Sequence, residues 1–420
     1  MDVFLIGNGF DLHYDLPTSY ACFLLVMKRL CEKVNEGETI TSVYQVLCDS
    51  ELLKIGQIKR CIDRYGTHFD AALDPVLVQH SVDIISDNMW FNYFLECFDM
   101  NGEWVDFERE IGRVINAFEL LLRDTTCAPP SGCFNRGYNP NAISAWNICS
   151  KFPFFFDEDG VDDGKEDVNI AIIYERFVIE KPQLSNQYVL DCQEIVKELF
   201  ISLTDLSLRL ELYLEDFVDA PVRNMASKGV FNGDEFLATN EWYDTHIVSF
   251  NYTHTLDAIT RKWAEKNHKI PVCYIHGELR KNNVVLGVNS DQRDEHDELE
   301  LTFLVFKKYF QRVYNGTDTD YLRLLTKIEE KDSFKNYTLY VIGHSLDVTD
   351  TEVIRECFKN AGRIIVFNYN LNDVEQHIRN LVTIFGKKEF DRLRLERKLT
   401  FVALIEMKLS AFEFAQKYLN

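Results

Sequence analysis

Five short stretches of the chain carry residue types that chemistry needs, and each follows a run that reads as a buried strand. The first is Gly7-Asn8-Gly9-Phe10-Asp11. A glycine after a strand lets the chain turn tightly, a second lets a phosphate approach the main chain, and nearby N–H groups can receive it. Leu12 stands where a dinucleotide fingerprint has its third glycine, so spacing alone leaves a phosphate loop and a plain turn both open. The second stretch is Ser249-Phe250-Asn251-Tyr252-Thr253-His254-Thr255-Leu256-Asp257. Here Asn251 is placed to meet a substrate, or else Asn251 or Thr253 caps the following helix.

His276, just before Gly277, closes the third stretch. A histidine there titrates near neutral pH and can serve as a general base, or is simply hydrogen-bonded at the rim. In the fourth, Gly343 and Ser345 of Gly343-His344-Ser345-Leu346 suit a phosphate or ribose, while Thr349 or Asp350 suits an N-cap for a helix at Thr351. Asn368 ends the fifth, Ile364-Ile365-Val366-Phe367, where ribose or adenine would be in reach. Trp104, Asp106 and Glu108 form a separate group. Residues two apart do not share a helix face, so the two carboxylates act together only on an extended segment or a helix entry, and capping is the plainer role.

The elements that must position these residues follow from periodicity. Asp2–Ile6 reads as a strand, and Tyr20, Phe23, Leu24, Met27 and Leu30 mark a helix that Thr18 or Ser19 can cap. Further strands are expected at Thr245–Phe250, Val272–Ile275, Val284–Leu286, Tyr337–Ile342 and Arg363–Phe367, with helices at Thr255–Glu265 and Thr351–Asn360 between them. Such alternation gives an α/β, Rossmann-like, mostly parallel sheet, whose strand ends converge on one crevice. The middle of the chain reads as mostly helical, with stripes such as Phe107, Ile111, Val114, Ile115, Phe118 and Leu122. A second stripe runs from Ile195 through Leu199, Leu203, Leu206 and Leu210 to Tyr213 and Phe217. Cys127–Pro140 and the acidic Asp157–Asp167, which lacks EF-hand spacing, read as solvent-facing linkers. The expected division is a nucleotide-binding core at 1–40 and 241–372, a helical insertion at 41–240, and a helical C-terminal segment at 373–420.

Composition narrows the function classes. The 420 residues carry 45 Lys and Arg against 67 Asp and Glu, a net charge of −22, which repels phosphate backbones and makes nucleic acid an unlikely partner. The basic stretch Lys387–Lys398 alternates with Phe390, Leu393 and Leu395 and reads as a helix with a solvated face. Eleven cysteines lack CxxC pairs or metal-like spacing, so reduced thiols and no metal are expected. Ala21–Met27 is too short to span a membrane, and no secretory signal is apparent, so the cytoplasm is the expected location.

Leu5-Ile6-Gly7-Asn8-Gly9-Phe10-Asp11-Leu12, followed by Leu16-Pro17-Thr18-Ser19-Tyr20, resembles the N-terminal signature of the bacteriophage abortive-infection AbiH family. Trp104-Val105-Asp106-Phe107-Glu108, Ser249–Leu256 and Gly343-His344-Ser345-Leu346 with Asp350 resemble it too. Asp15 departs from the glycine usual before Leu-Pro-Thr-Ser-Tyr, and of non-glycine residues Asp is among those that tolerate positive φ best. A more distant resemblance is to the sirtuin-like nucleotide-binding fold. It sets Gly7-x-Gly9 beside the dinucleotide loop, Asn251 beside the catalytic asparagine, and His276-Gly277 beside the catalytic His-Gly. Gly343–Leu346 then falls at the ribose loop and Asn368 at the adenosine-side asparagine. The resemblance implies a defence protein that hydrolyses NAD to nicotinamide and ADP-ribose. Asn251 and His276 would be catalytic, and Gly7, Asn8, Gly9, Asp11, Gly343, Ser345 and Asn368 would bind the nucleotide. It also implies a phage-derived trigger and a homo-oligomer or defence-system partner. A non-catalytic NAD or ADP-ribose sensor, or a structural subunit controlling an effector, is the alternative.

Overall fold

The computed structural model describes residues 2–101, 105–124, 127–128, 133–135, 140–156, 170–173, 175–180, 188–231, 245–260, 271–288, 298–317, 319–330 and 337–403. The chain divides into two compact units, one of residues 1–80, 208–285 and 312–420, the other of 81–207 and 286–311. The first therefore takes in residues 41–80, 208–240 and the C-terminal segment, beyond the bounds expected for the core. Among the described residues no helix is long and apolar enough to cross a membrane.

The first unit is built on six parallel strands: β1 (Asp2–Ile6), β2 (Thr245–Ser249), β3 (Val272–Tyr274), β4 (Tyr337–Ile342), β5 (Ala361–Asn368) and β6 (Leu399–Ala403). Their order is β6-β5-β4-β1-β2-β3, which is the 3-2-1-4-5-6 order of doubly wound dinucleotide-binding sheets read from the other edge. Val3, Leu5, Val248, Leu339, Val341 and Ile364 are wholly buried, which explains why these strands are continuous apolar runs. The fold is thus α/β and Rossmann-like.

Two strand expectations are corrected. Val284–Leu286 is not a strand: the Val285 amide donates to His276 O, and the Gln311 side chain takes both the Leu286 amide and carbonyl, so no ladder forms. Conversely, β6 lies in the segment expected to be helical. It follows two helices, Leu371–Phe385 and Lys387–Leu395, and pairs with β5 from Ile364↔Leu399 to Asn368↔Ala403.

Helix boundaries follow local chemistry. Ser19 accepts from the Cys22 amide and starts Tyr20–Asn35, while Asn370 and Asp373 form a reciprocal capping box that starts Leu371–Phe385. The expected helix after β4 is Thr351–Lys359, and residues 255–260 are helical as far as they are described. Helix Cys192–Leu214 buries its expected stripe and runs on through a π-helical turn, Glu215–Asp219, into Ala220–Ser227.

In the second unit, helix Phe107–Asp124 buries Phe107, Ile111, Val114, Ile115 and Phe118 beside an aromatic cluster in which Phe94 and Phe107 stack at 4.1 Å. The middle of the chain is not only helical. Six short strands form an antiparallel sheet, and Cys127–Ala128 and Cys133–Asn135 belong to it although that stretch reads as a linker. Two- to four-residue strands are too short to show the alternation by which a strand is recognised. The acidic run Asp157–Asp167 lies outside the described residues, as does Trp104.

Candidate functional site

Strand register brings the expected residues to one edge. Ile6 lies opposite both Ile342 and Ser249, and Ser249 opposite Tyr274, so Gly7, Gly343, Phe250 and Ile275 leave the sheet at one level. β1 sits between β4 and β2, where strand order reverses, and ligands of open α/β sheets bind at that point beyond the strand ends.

The glycines there serve close packing of two loops. The Gly7 amide donates to Ile342 O at 3.1 Å and the Gly9 amide to Gly343 O at 2.7 Å. A Cβ on Gly9 would lie 2.7 Å from Gly343 Cα, and one on Gly343, which has φ 65°, would lie 2.1 Å from the Phe10 nitrogen. The Gly7 and Gly9 amides expected to receive phosphate are thus committed to the neighbouring loop. Asn8 and Ser345 are exposed beside them. Asp15 has φ 55° and ion-pairs with Arg60 and Arg64, so aspartate holds the turn that glycine would otherwise make.

Behind this loop lies a buried carboxyl. Asp11 is 1% exposed, and its Oδ2 accepts from Thr253 Oγ1 at 2.6 Å, with Thr255 Oγ1 donating to Thr253 at 3.3 Å. Burial pushes the Asp11 carboxyl up to about 7, against the pull of the Thr253 and Thr255 hydroxyls and the Asn251 side chain, with the Asp219 charge adding to the rise. Asn251, also buried, has its amide N–H fixed by Ser249 Oγ at 3.2 Å. Asp11 Oδ1 and Asn251 Oδ1 are both buried without a hydrogen-bond donor. Each such acceptor costs about 1–3 kcal/mol, and here two of them lie at the ligand-binding end of the sheet.

His276 is not a rim histidine. It is 5% exposed, packs edge-on against Phe250, and its Nε2 lies 3.0 Å from Asp350 Oδ1. The other oxygen of Asp350 faces His344 Nε2 at 3.4 Å, and His344 Nδ1 accepts from the Leu346 amide, which fixes the ring. Asp350 precedes helix Thr351–Lys359 but makes no side-chain cap there, so the capping role expected for it is corrected: its carboxylate bridges two histidines. Asp347 instead caps the preceding turn through the Thr349 amide. Asn368 reaches this chain only indirectly. Its Nδ2 donates to Val366 O and Val402 O, its Oδ1 meets His377 Nδ1 at 2.7 Å, and His377 Nε2 meets His344 O. With both ends of its side chain so used, Asn368 clamps β5, β6 and the following helix together.

A third cluster was not legible as a site. His254 lies between two carboxylates, with Nδ1 2.6 Å from Asp219 and Nε2 3.2 Å from Glu278, and its amide also donates to Asp219. Burial disfavours the imidazolium, but Asp219 and then Glu278 outweigh it and hold the His254 pKa above its ordinary value. Asp219 ends the π-helical turn, an irregularity that often marks function. Among the described residues, no group of three or more His, Cys, Asp or Glu is arranged to hold a metal ion.

The remaining motif is structural where it is described, in the second unit. Asp106 accepts from the Arg109 amide at the start of Phe107–Asp124, and Glu108 pairs at 2.8 Å with Lys308, which is 1% exposed.

A model of one protein family, described as bacteriophage abortive infection AbiH, matches residues 3–369. No curated protein matches the chain, and no solved structure does. The matched region contains the loop after β1, the Asp11–Asn251 pair and the His276–Asp350–His344 relay. The chain belongs to the bacteriophage abortive-infection AbiH family.

Proposed function

We propose that this protein acts in phage abortive infection by hydrolysing NAD to nicotinamide and ADP-ribose at the sheet edge beyond β1, β2 and β4. One observation carries the reading: Asp11 and Asn251 bury two acceptor oxygens without donors beside the strand-order switch, where a hydroxyl-rich nucleotide supplies donors. The sirtuin-like resemblance of Asn251 and His276 supports the same chemistry. Asn8 and Ser345, exposed beside the packed glycine loops, line the approach for the pyrophosphate and ribose. Asn251 holds the nicotinamide ribose and the attacking water. Water oxygen bonds to C1′ as the C1′–N bond breaks, its electron pair goes to the nicotinamide nitrogen, and the water proton passes to a base beside Asn251. The resemblance names His276, tied to Asp350, as that base.

Purified protein incubated with NAD, alone and with lysate from phage-infected cells, should release nicotinamide and ADP-ribose in equal amounts. Asn251→Ala should lower turnover at least about 100-fold, the scale of losing one preorganised polar group at a reacting centre. Turnover unchanged in that variant would remove Asn251 from the mechanism.

A further inference from the structure

We propose that Asp11, rather than His276, is the general base of this site: it takes the proton from the attacking water through Oδ1. The inference rests on the NAD-hydrolase reading for its substrate, and on the structure for the residue.

Geometry separates the candidates. Both nitrogens of His254 face carboxylates and His276 Nε2 is hydrogen-bonded to Asp350, so of these two histidines only His276 Nδ1 competes with Asp11 for the water proton. Asp11 is anchored through Oδ2, with the Thr255 and Asn251 side chains also acting on its carboxyl. Thr253 fixes Oδ2 at 2.6 Å, and Oδ1 remains a buried acceptor without a donor, as does Asn251 Oδ1. A water between the two would give one hydrogen to each and point a lone pair outward, which is the arrangement a nucleophile needs.

The charge environment suits the task. Among the described residues, the ionisable groups acting on Asp11 include Asp219 from the π-helical turn, Tyr274 at the end of β3 and Tyr369 after β5, and Tyr369 also donates its hydroxyl to Gly9 O. Burial pushes the Tyr274 hydroxyl well up and keeps it neutral, and among the described residues no cation is among the groups that chiefly shift Asp11. A base is most useful when it titrates near working pH, and burial brings Asp11 there. On attack, the Asp11 carboxylate gains the water proton, nicotinamide leaves with the C1′–N electron pair, and the proton is then lost to solvent.

The test joins kinetics to a titration that needs no turnover. In the wild type, kcat/KM for NAD should rise with pH through a limb near 7. Asp11→Asn should remove the limb and lower kcat about 100-fold or more with little change in KM. Thr253→Val, which takes one hydrogen bond from the ionised carboxylate, should move the limb up by about one pH unit. His276→Ala should keep the limb where it is. Infrared difference spectra, wild type minus Asp11→Asn, should show a protonated-carboxyl band lost with a midpoint near 7. A limb that survives in Asp11→Asn, or an Asp11 carboxylate ionised down to pH 5, would overturn the assignment. If the wild type releases no nicotinamide, the NAD reading fails alone, and the infrared titration still decides whether Asp11 is an acid–base group.

Discussion

At the scale of single residues, the consequential feature is the buried carboxyl of Asp11. Asp11 has a folded pKa of about 7 against an ordinary 3.8, so between these values the folded state holds a proton that the unfolded chain has lost. Stability must therefore fall as pH rises from about 4 to 7, by a total on the order of a few kcal/mol. Asp11→Asn keeps the neutral shape and should abolish this slope, leaving the variant more stable than the wild type at pH 8, as urea titrations across the range would show. Asp350 predicts the opposite kind of effect. Its carboxylate joins His276 and His344, so Asp350→Ala should cost about 3 kcal/mol or more by leaving buried partners unmatched. The sequence showed which of these residues were polar strand ends, including Asn251 and His276, but not what they touch. Asp350 reads as a cap because it precedes a helix, and nothing in spacing brings Asp219 to His254 across 35 residues. Asn368 reads as a ligand contact because its partners are remote in sequence: His377 lies in the expected C-terminal helix and Val402 in the strand that replaces helix at Leu399–Ala403.

At the scale of elements, the two glycine turns work as one joint. Gly343 combines φ 65° with a Cβ position 2.1 Å from the Phe10 nitrogen, whereas Gly37 has φ 83° and nothing within 4 Å. Gly343→Ala should cost roughly 3 kcal/mol or more, from strain and backbone overlap together. Gly37→Ala should cost only about 1–2 kcal/mol, the penalty of a left-handed Cβ alone. Thermal unfolding of the two variants checks the difference, and equal losses would mean the loops can separate freely. Strands buried on both faces were legible because they are unbroken apolar runs. Leu399–Ala403 was not: an edge strand half covered by a helix, with Thr400 and Phe401 only partly buried, lacks that run. Val284–Leu286 has the run without the ladder, since Gln311 supplies what a neighbouring strand would.

At the scale of the whole molecule, the reversal of strand order and the polar strand ends fall at one edge of the sheet. The six-stranded parallel sheet reverses order between β1 and β4, and the chain places its glycine loops, buried carboxyl and histidine relay at that end. Alternation of strands and helices made this sheet legible, but the antiparallel strands of the second unit were too short to register. Membership of the abortive-infection family supplies the setting in which the proposed consumption of NAD would act. The most direct test is mass spectrometry of NAD, nicotinamide and ADP-ribose in bacteria that express this chain, before and after phage challenge. NAD should fall and ADP-ribose rise after challenge with the wild type, and both should stay at control levels with Asn251→Ala produced at equal abundance. Protection from phage with NAD unchanged would contradict the proposed hydrolysis.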